Sequence, residues 1–160
     1  MVPAKKAQLD YTIDIADETQ PTGRLLILLF RAFEATLIER LDKQGVTDIS
    51  MSDLNVIRHL DPCGSQISAI AQSAGLSKQA IGRTVADLEK KGIVRTIADP
   101  SDRRGKLVQF TQKGVSLVAT AIEIIKKIET RYKRIMGADG YNKTRQSLIW
   151  LIKSHAENKV

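Results

Sequence analysis

Residues 99–114 read DPSDRRGKLVQFTQKG, and the fold turns on how that stretch is parsed. It sets Asp102, Arg103 and Arg104 side by side, continues into the alternating run Lys106 to Phe110, and meets a helix-start signal at Thr111. Just upstream, IVRTI at 93–97 alternates in the same way. Two short alternating runs around a Pro/Asp/Gly-containing segment predict a β-hairpin, here with DPSDRRG as a long charged tip. A catalytic loop would normally supply a nucleophile, a base or a metal ligand; this one supplies guanidinium groups.

The residues before the hairpin read as helices. From Pro21, the spacing of Phe30, Phe33, Leu37 and Leu41 predicts a helix that Gly45 ends. Its LLILLF segment at 25–30 is apolar on every side, so it requires burial against more than its own subunit. Ser50 with Asp53 forms a capping-box pattern that opens a short helix with Leu54, Ile57 and Leu60 inward. DPCG at 61–64 breaks it. Ser65 is then the expected cap of a second short helix, with Ile67, Ile70 and Ala71 inward and Gly75 at its end. Ser77 caps a third helix, KQAIGRTVADLEKKG, whose inward face is Ile81, Val85 and Leu88.

Beyond the hairpin, Thr111 caps a long helix over 112–136, with Val115, Val118, Ile122, Ile125, Ile128, Tyr132 and Ile135 as its apolar stripe. Gly137 stops it, and a last helix over about 141–156 buries Leu148, Leu151 and Ile152. Residues 1–20 alternate briefly at Leu9, Tyr11, Ile13 and Ile15, which reads as an extended arm. Met51, Phe33 and Tyr132 are expected in the core or at an interface.

Charge is distributed unevenly. The chain of 160 residues carries a net charge of +7. Residues 77–106 hold eight Lys/Arg against four Asp/Glu, and residues 107–160 hold ten against four, whereas residues 1–20 hold two against four. A basic second half fits a polyanionic partner. The lone Cys63 excludes an intramolecular disulfide. LLILLF is far short of the roughly 20 residues a bilayer span needs. With no secretion signal, the expected location is the cytoplasm, with no membrane partner. No phosphate-binding glycine loop, Gly-x-Ser-x-Gly or His-Glu-x-x-His occurs, so neither an enzyme nor a metal or cofactor site is expected.

Two short helices, the turn Gly75-Leu76-Ser77, a third helix and a hairpin make a winged helix-turn-helix. The fold class is mainly α with a small β-hairpin wing and a helical dimerisation region. A B-form major groove admits one helix, whose N-terminal part reaches base edges. Ser77, Lys78, Gln79, Gly82 and Arg83 occupy that part, off the apolar face. Gln79 and Arg83 can each make two bonds to a base edge. Gly82 permits close approach. On the wing, an arginine directed into the minor groove meets negative potential, and Asp102 can fix its direction by hydrogen bonding. Lys106 is better suited to a phosphate. Lys126, Lys127, Arg131, Lys133 and Arg134 read as a solvated helix face.

The segment from about 50 to 118 resembles the MarR (multiple antibiotic resistance regulator) family of bacterial transcription factors. The resemblance rests on Leu76-Ser77, on Leu88-Glu89-Lys90-Lys91-Gly92-Ile93-Val94, on Asp102-Arg103-Arg104, and on Phe110-Thr111-Gln112-Lys113-Gly114, where the family more often has Leu at the position of Phe110. It implies a homodimer built by the N- and C-terminal helices, bound to a pseudo-palindromic duplex DNA operator. It implies Arg104 in the minor groove with Asp102 as its support, and release by a small-molecule effector, in many relatives an aromatic or phenolic anion. The corresponding division of the chain is an arm and dimerisation helix over 1–48, the winged helix-turn-helix over 49–110, and C-terminal helices over 111–160. Two rival readings are a winged helix that binds protein instead of an operator, and an oxidant sensor built on Cys63.

Overall fold

The computed structural model describes residues 20–100 and 102–157, with the backbone alone for residues 102–104. The arm expected over 1–20 lies, but for Gln20, outside the described residues. The elements run α1 (Thr22–Asp42), α2 (Met51–Ile57), α3 (Ile67–Ala74), α4 (Lys78–Lys90), β1 (Val94–Asp99), β2 (Asp102–Phe110) and α5 (Gln112–Ala156). Mainly helical, with one two-stranded antiparallel hairpin, the chain has the expected fold class.

Local capping chemistry sets most boundaries. The Ser50 hydroxyl accepts from the Asp53 N–H while the Asp53 carboxylate accepts from the Ser50 N–H, a reciprocal box at the start of α2. Ser77 accepts from the Ala80 N–H at the start of α4, and Thr111 accepts from the Gly114 N–H at the start of α5. Gly75 ends α3 with φ 65°, a left-handed conformation that costs glycine nothing. Ser65 departs from expectation. The N-cap of α3 is Gln66, and Ser65 instead exchanges backbone hydrogen bonds of 3.0 and 2.9 Å with Val108. The DPCG turn places Ser65 alongside β2, so its backbone extends the sheet edge by one bridge.

The core gathers Leu41, Val56, Ile70, Ile81, Leu88, Val108 and Ile124, all buried. Ile81, Val85 and Leu88 form the inward stripe of α4, as their spacing predicts. On α5 the intrachain stripe is Gly114, Leu117, Ala121, Ile124 and Ile128. Of the stripe expected from sequence, Ile128 is buried and Ile125 and Tyr132 pack partly buried against the core, while Val115, Ile122 and Ile135 are exposed. Apolar residues lie on two faces of this helix, and periodicity alone does not choose between them. Met51 lies outside the core, exposed as an interface residue of the single chain would be; Ile152 is exposed rather than buried, and Leu148 and Leu151 are half-buried.

Gly137 interrupts α5 with φ 71° and ψ 160°, a region open essentially to glycine alone. The two arms fold back on one another. Arg145 Nη1 lies 3.4 Å from Glu129 Oε1, 16 residues away, a span of roughly 24 Å along an unbroken helix. Tyr141 is buried at this reversal, with Lys133 and Arg145 over its ring at 5.2 and 5.9 Å.

Candidate nucleic-acid interface

Helix α4 presents two chemically distinct faces. Its apolar residues turn inward against α2 and α3, while Ser77, Lys78, Gln79 and Arg83 are exposed and Gly82 is half-buried. A Cβ added to Gly82 meets nothing within 4 Å. No neighbour within the described chain therefore requires a glycine there. Three donor-bearing side chains, with no acidic residue in the first turn, share the start of the helix.

The base of α4 is held from below. Lys91, which follows the helix, donates from Nζ to Asp53 Oδ2 at 2.6 Å. Asp53 is 2% exposed and also accepts from both the backbone and the hydroxyl of Ser50. Burial raises its pKa, but the Lys91 hydrogen bond, the two Ser50 donors and the Lys91 charge outweigh it, so its carboxyl sits below the ordinary value of 3.8. One buried carboxylate thus caps α2 and anchors the end of α4.

The wing is longer than the sequence predicts. Pairing runs from Val94↔Phe110 to Ala98↔Lys106, then reaches Asp99↔Asp102 across an irregularity. One step on β1 answers four on β2, so Arg103, Arg104 and Gly105 have no partner residue opposite. The charged run expected as a hairpin tip therefore belongs to an irregular, over-long stretch of β2. Such bulges bend a strand and re-aim its side chains. Lys106, opposite Ala98, is exposed.

Two contacts that sequence reasoning missed fix this wing. Asp99, only 7% exposed, accepts from Gln66 Nε2 at 3.0 Å, joining the far end of β1 to the cap of α3. Thr111 donates to the Gly92 carbonyl at 2.6 Å, and its N–H donates to the Ile93 carbonyl. These pairs are 33 and about 18 residues apart, beyond the reach of any local pattern. Cys63, exposed in the DPCG turn, contributes its carbonyl to Gln109 Nε2.

Behind the helix-turn-helix, a cavity of about 450 Å³ opens between α1, α2 and α5. Its lining is almost wholly apolar, with Phe33, Leu37, Ile57, Ala121 and Ile125 among its walls. The charged groups on it are Glu34 of α1 and Arg58, which follows α2; they form an ion pair, and the Arg58 guanidinium stands 5.1 Å from the Phe30 ring centroid. None of the described helices is long and apolar enough to cross a membrane.

Residues 44–105 match the family model described as MarR family. Among solved structures, a crystal structure of MarR aligns with a TM-score of 0.71 at 19% identity, covering 86% of this chain and 99% of that one. The transcriptional repressor CouR, bound to a 23-mer DNA duplex, aligns at 0.66 with 21% identity, covering 85% and 92%. MepR of S. aureus bound to ethidium bromide aligns at 0.57 with 17% identity, covering 84% and 96%.

Proposed function

We propose that this chain, whose residues 44–105 match the MarR family model, is a sequence-specific, duplex-DNA-binding transcriptional regulator, and a repressor. The observation that carries this reading is the exposed polar start of α4: Ser77, Lys78, Gln79 and Arg83, around a Gly82 that nothing among the described residues requires. Lys78 and Ser77 meet phosphates; Gln79 and Arg83 address base edges. Arg104 enters the adjacent minor groove with Asp102 as its support, Arg103 and Lys106 contacting the backbone beside it. CouR, of similar fold, is held on duplex DNA in its solved structure, in keeping with this role.

A second copy of the chain completes the proposed regulator. Ile135, Trp150 and Ile152 are 69, 66 and 67% exposed, and Leu25, Ile27 and Leu29 are exposed on α1. So many exposed large apolar side chains on α1 and α5 favour a partner surface there. Pairing through α1 and α5 would place two α4 helices about 34 Å apart, one turn of duplex. The divisions at 1–48, 49–110 and 111–160 then separate the pairing helices from the reading domain.

Release is proposed to follow from a small molecule in the cavity between α1, α2 and α5. Its walls come from both the pairing helices and the reading domain, so occupancy alters the angle between them. A coupling of about 1–3 kcal/mol would change operator affinity some 5–150-fold. The protein is a binding switch, with no reaction assigned to it. Selection from a random duplex pool tests the core of this reading: one enriched, inverted-repeat sequence whose binding weakens steeply with salt is expected. Binding that ignores salt, or no enrichment, overturns it in favour of a protein-interaction module.

A further inference from the structure

Building on the effector reading, we infer that the cavity takes a flat aromatic cation, with Glu34 as its counter-charge and Arg58 as the group it displaces. The two charged residues of the cavity differ in exposure. The Glu34 side chain is 10% exposed, that of Arg58 34%. The guanidinium is thus the more exposed partner, and the carboxylate is nearly buried.

That difference decides the sign of the ligand. An anion binding Arg58 in place of Glu34 would strand a buried, unpaired carboxylate, which is strongly unfavourable. A cation that pairs with Glu34 leaves only Arg58 to relocate, and Arg58 is already at the surface. An outer recess lined by Ser52 and Asn55, continuous with Glu34 and Arg58, offers it polar surroundings. Phe30 adds to the same preference. Its ring carries the Arg58 guanidinium at 5.1 Å, so a carboxylate and an aromatic face together form a cation seat that the protein fills with its own side chain. Beside that seat, the apolar walls of Phe33, Leu37 and Ile125 suit an aromatic body.

The displacement also supplies a signal. Arg58 follows the last turn of α2 and bonds the Leu54 carbonyl through Nε at 3.2 Å, while Glu34 belongs to α1. Their ion pair joins the helix-turn-helix to the pairing helices. A ligand cation on Glu34 breaks that tie and occupies the cavity in one event.

The test compares two probes with one body and opposite charge: a biphenyl bearing a trimethylammonium group and the same biphenyl bearing a sulfonate. Binding to the full chain is followed by calorimetry. The ammonium probe is expected to bind at least tenfold more tightly. Glu34→Gln is expected to remove that preference, and Arg58→Gln, which empties the seat, to tighten the ammonium probe several-fold. Should either variant fail to fold, the probe preference of the unaltered chain decides alone, because an anion site on Arg58 would favour the sulfonate. Tighter binding of the sulfonate probe overturns the cation assignment while leaving the effector cavity standing. Binding of neither probe overturns both.

Discussion

Lys91 Nζ and Asp53 Oδ2 meet at 2.6 Å across 38 residues of chain, so the floor of α4 is tied to the cap of α2 through one buried carboxylate. Removing the lysine leaves that carboxylate with Ser50 alone. Lys91→Ala is expected to cost about 2–3 kcal/mol, somewhat below a fully enclosed pair because the lysine retains some water. Urea unfolding of the two proteins checks it; a difference under about 0.5 kcal/mol would remove the bridge from any account of stability.

The same pair gives a pH dependence with a defined sign. The Asp53 carboxyl sits lower in the folded chain than in the unfolded one. Its contribution is therefore complete above the ordinary carboxylate range of about 4 and is lost as pH falls through the lower, folded value. Asp53→Asn should flatten the acid limb of stability against pH and leave its shape above pH 6 unchanged. Denaturant midpoints between pH 2.5 and 7 read this directly.

Gly82 separates stability from binding. With nothing within 4 Å of an added methyl, Gly82→Ala should raise stability by about 0.5–1 kcal/mol through helix propensity. If α4 lies closely against duplex, the same change weakens operator binding. A variant that melts higher and still binds at full strength would place the close approach elsewhere on the helix.

Gly114 marks the opposite situation. A Cβ there would stand 2.1 Å from the Ile93 carbonyl oxygen, in backbone that cannot yield cheaply. Gly114→Ala is expected to cost roughly 3 kcal/mol, the upper end of overpacking. Calorimetric melting of the variant checks it, and an unchanged midpoint would mean that the wing and α5 do not meet as described.

Arg83 and Arg104 are expected to fail in different ways. Arg83→Ala should cost about 1–3 kcal/mol of operator affinity and relax preference at one position per half-site. Arg104→Ala should weaken binding at least tenfold with the fold and pairing intact, the loss being greatest at operators with a narrow minor groove beside the half-site. Binding assays on the selected duplex and on single-position variants separate the two patterns.

What the sequence disclosed follows the range of the interactions involved. Ser77, Thr111 and the Ser50/Asp53 box act within three residues, and each caps the helix its neighbours predict. The α4 stripe of Ile81, Val85 and Leu88 is legible because the opposite face is polar. On α5 that contrast is absent, and the expected stripe is displaced from Leu117, Ala121 and Ile124. The wing is recognisable, but its irregular pairing is not: Arg103 and Arg104 lie in a strand that the turn-forming residues around them disguise. Of the candidate interface, the exposed residues on α4 are readable; the Gln66–Asp99 and Lys91–Asp53 ties, set by tertiary packing, carry no local mark.

The reversal at Gly137 makes the chain intolerant of length changes on either side of it. Adding one residue to the first arm of α5 would swing the second about its axis by roughly 100°. Tyr141 would leave its niche between Lys133 and Arg145, and Trp150 would sweep to another side of the molecule. Point substitutions can drift along both arms, whereas insertions and deletions around the reversal must come in near-whole helical turns.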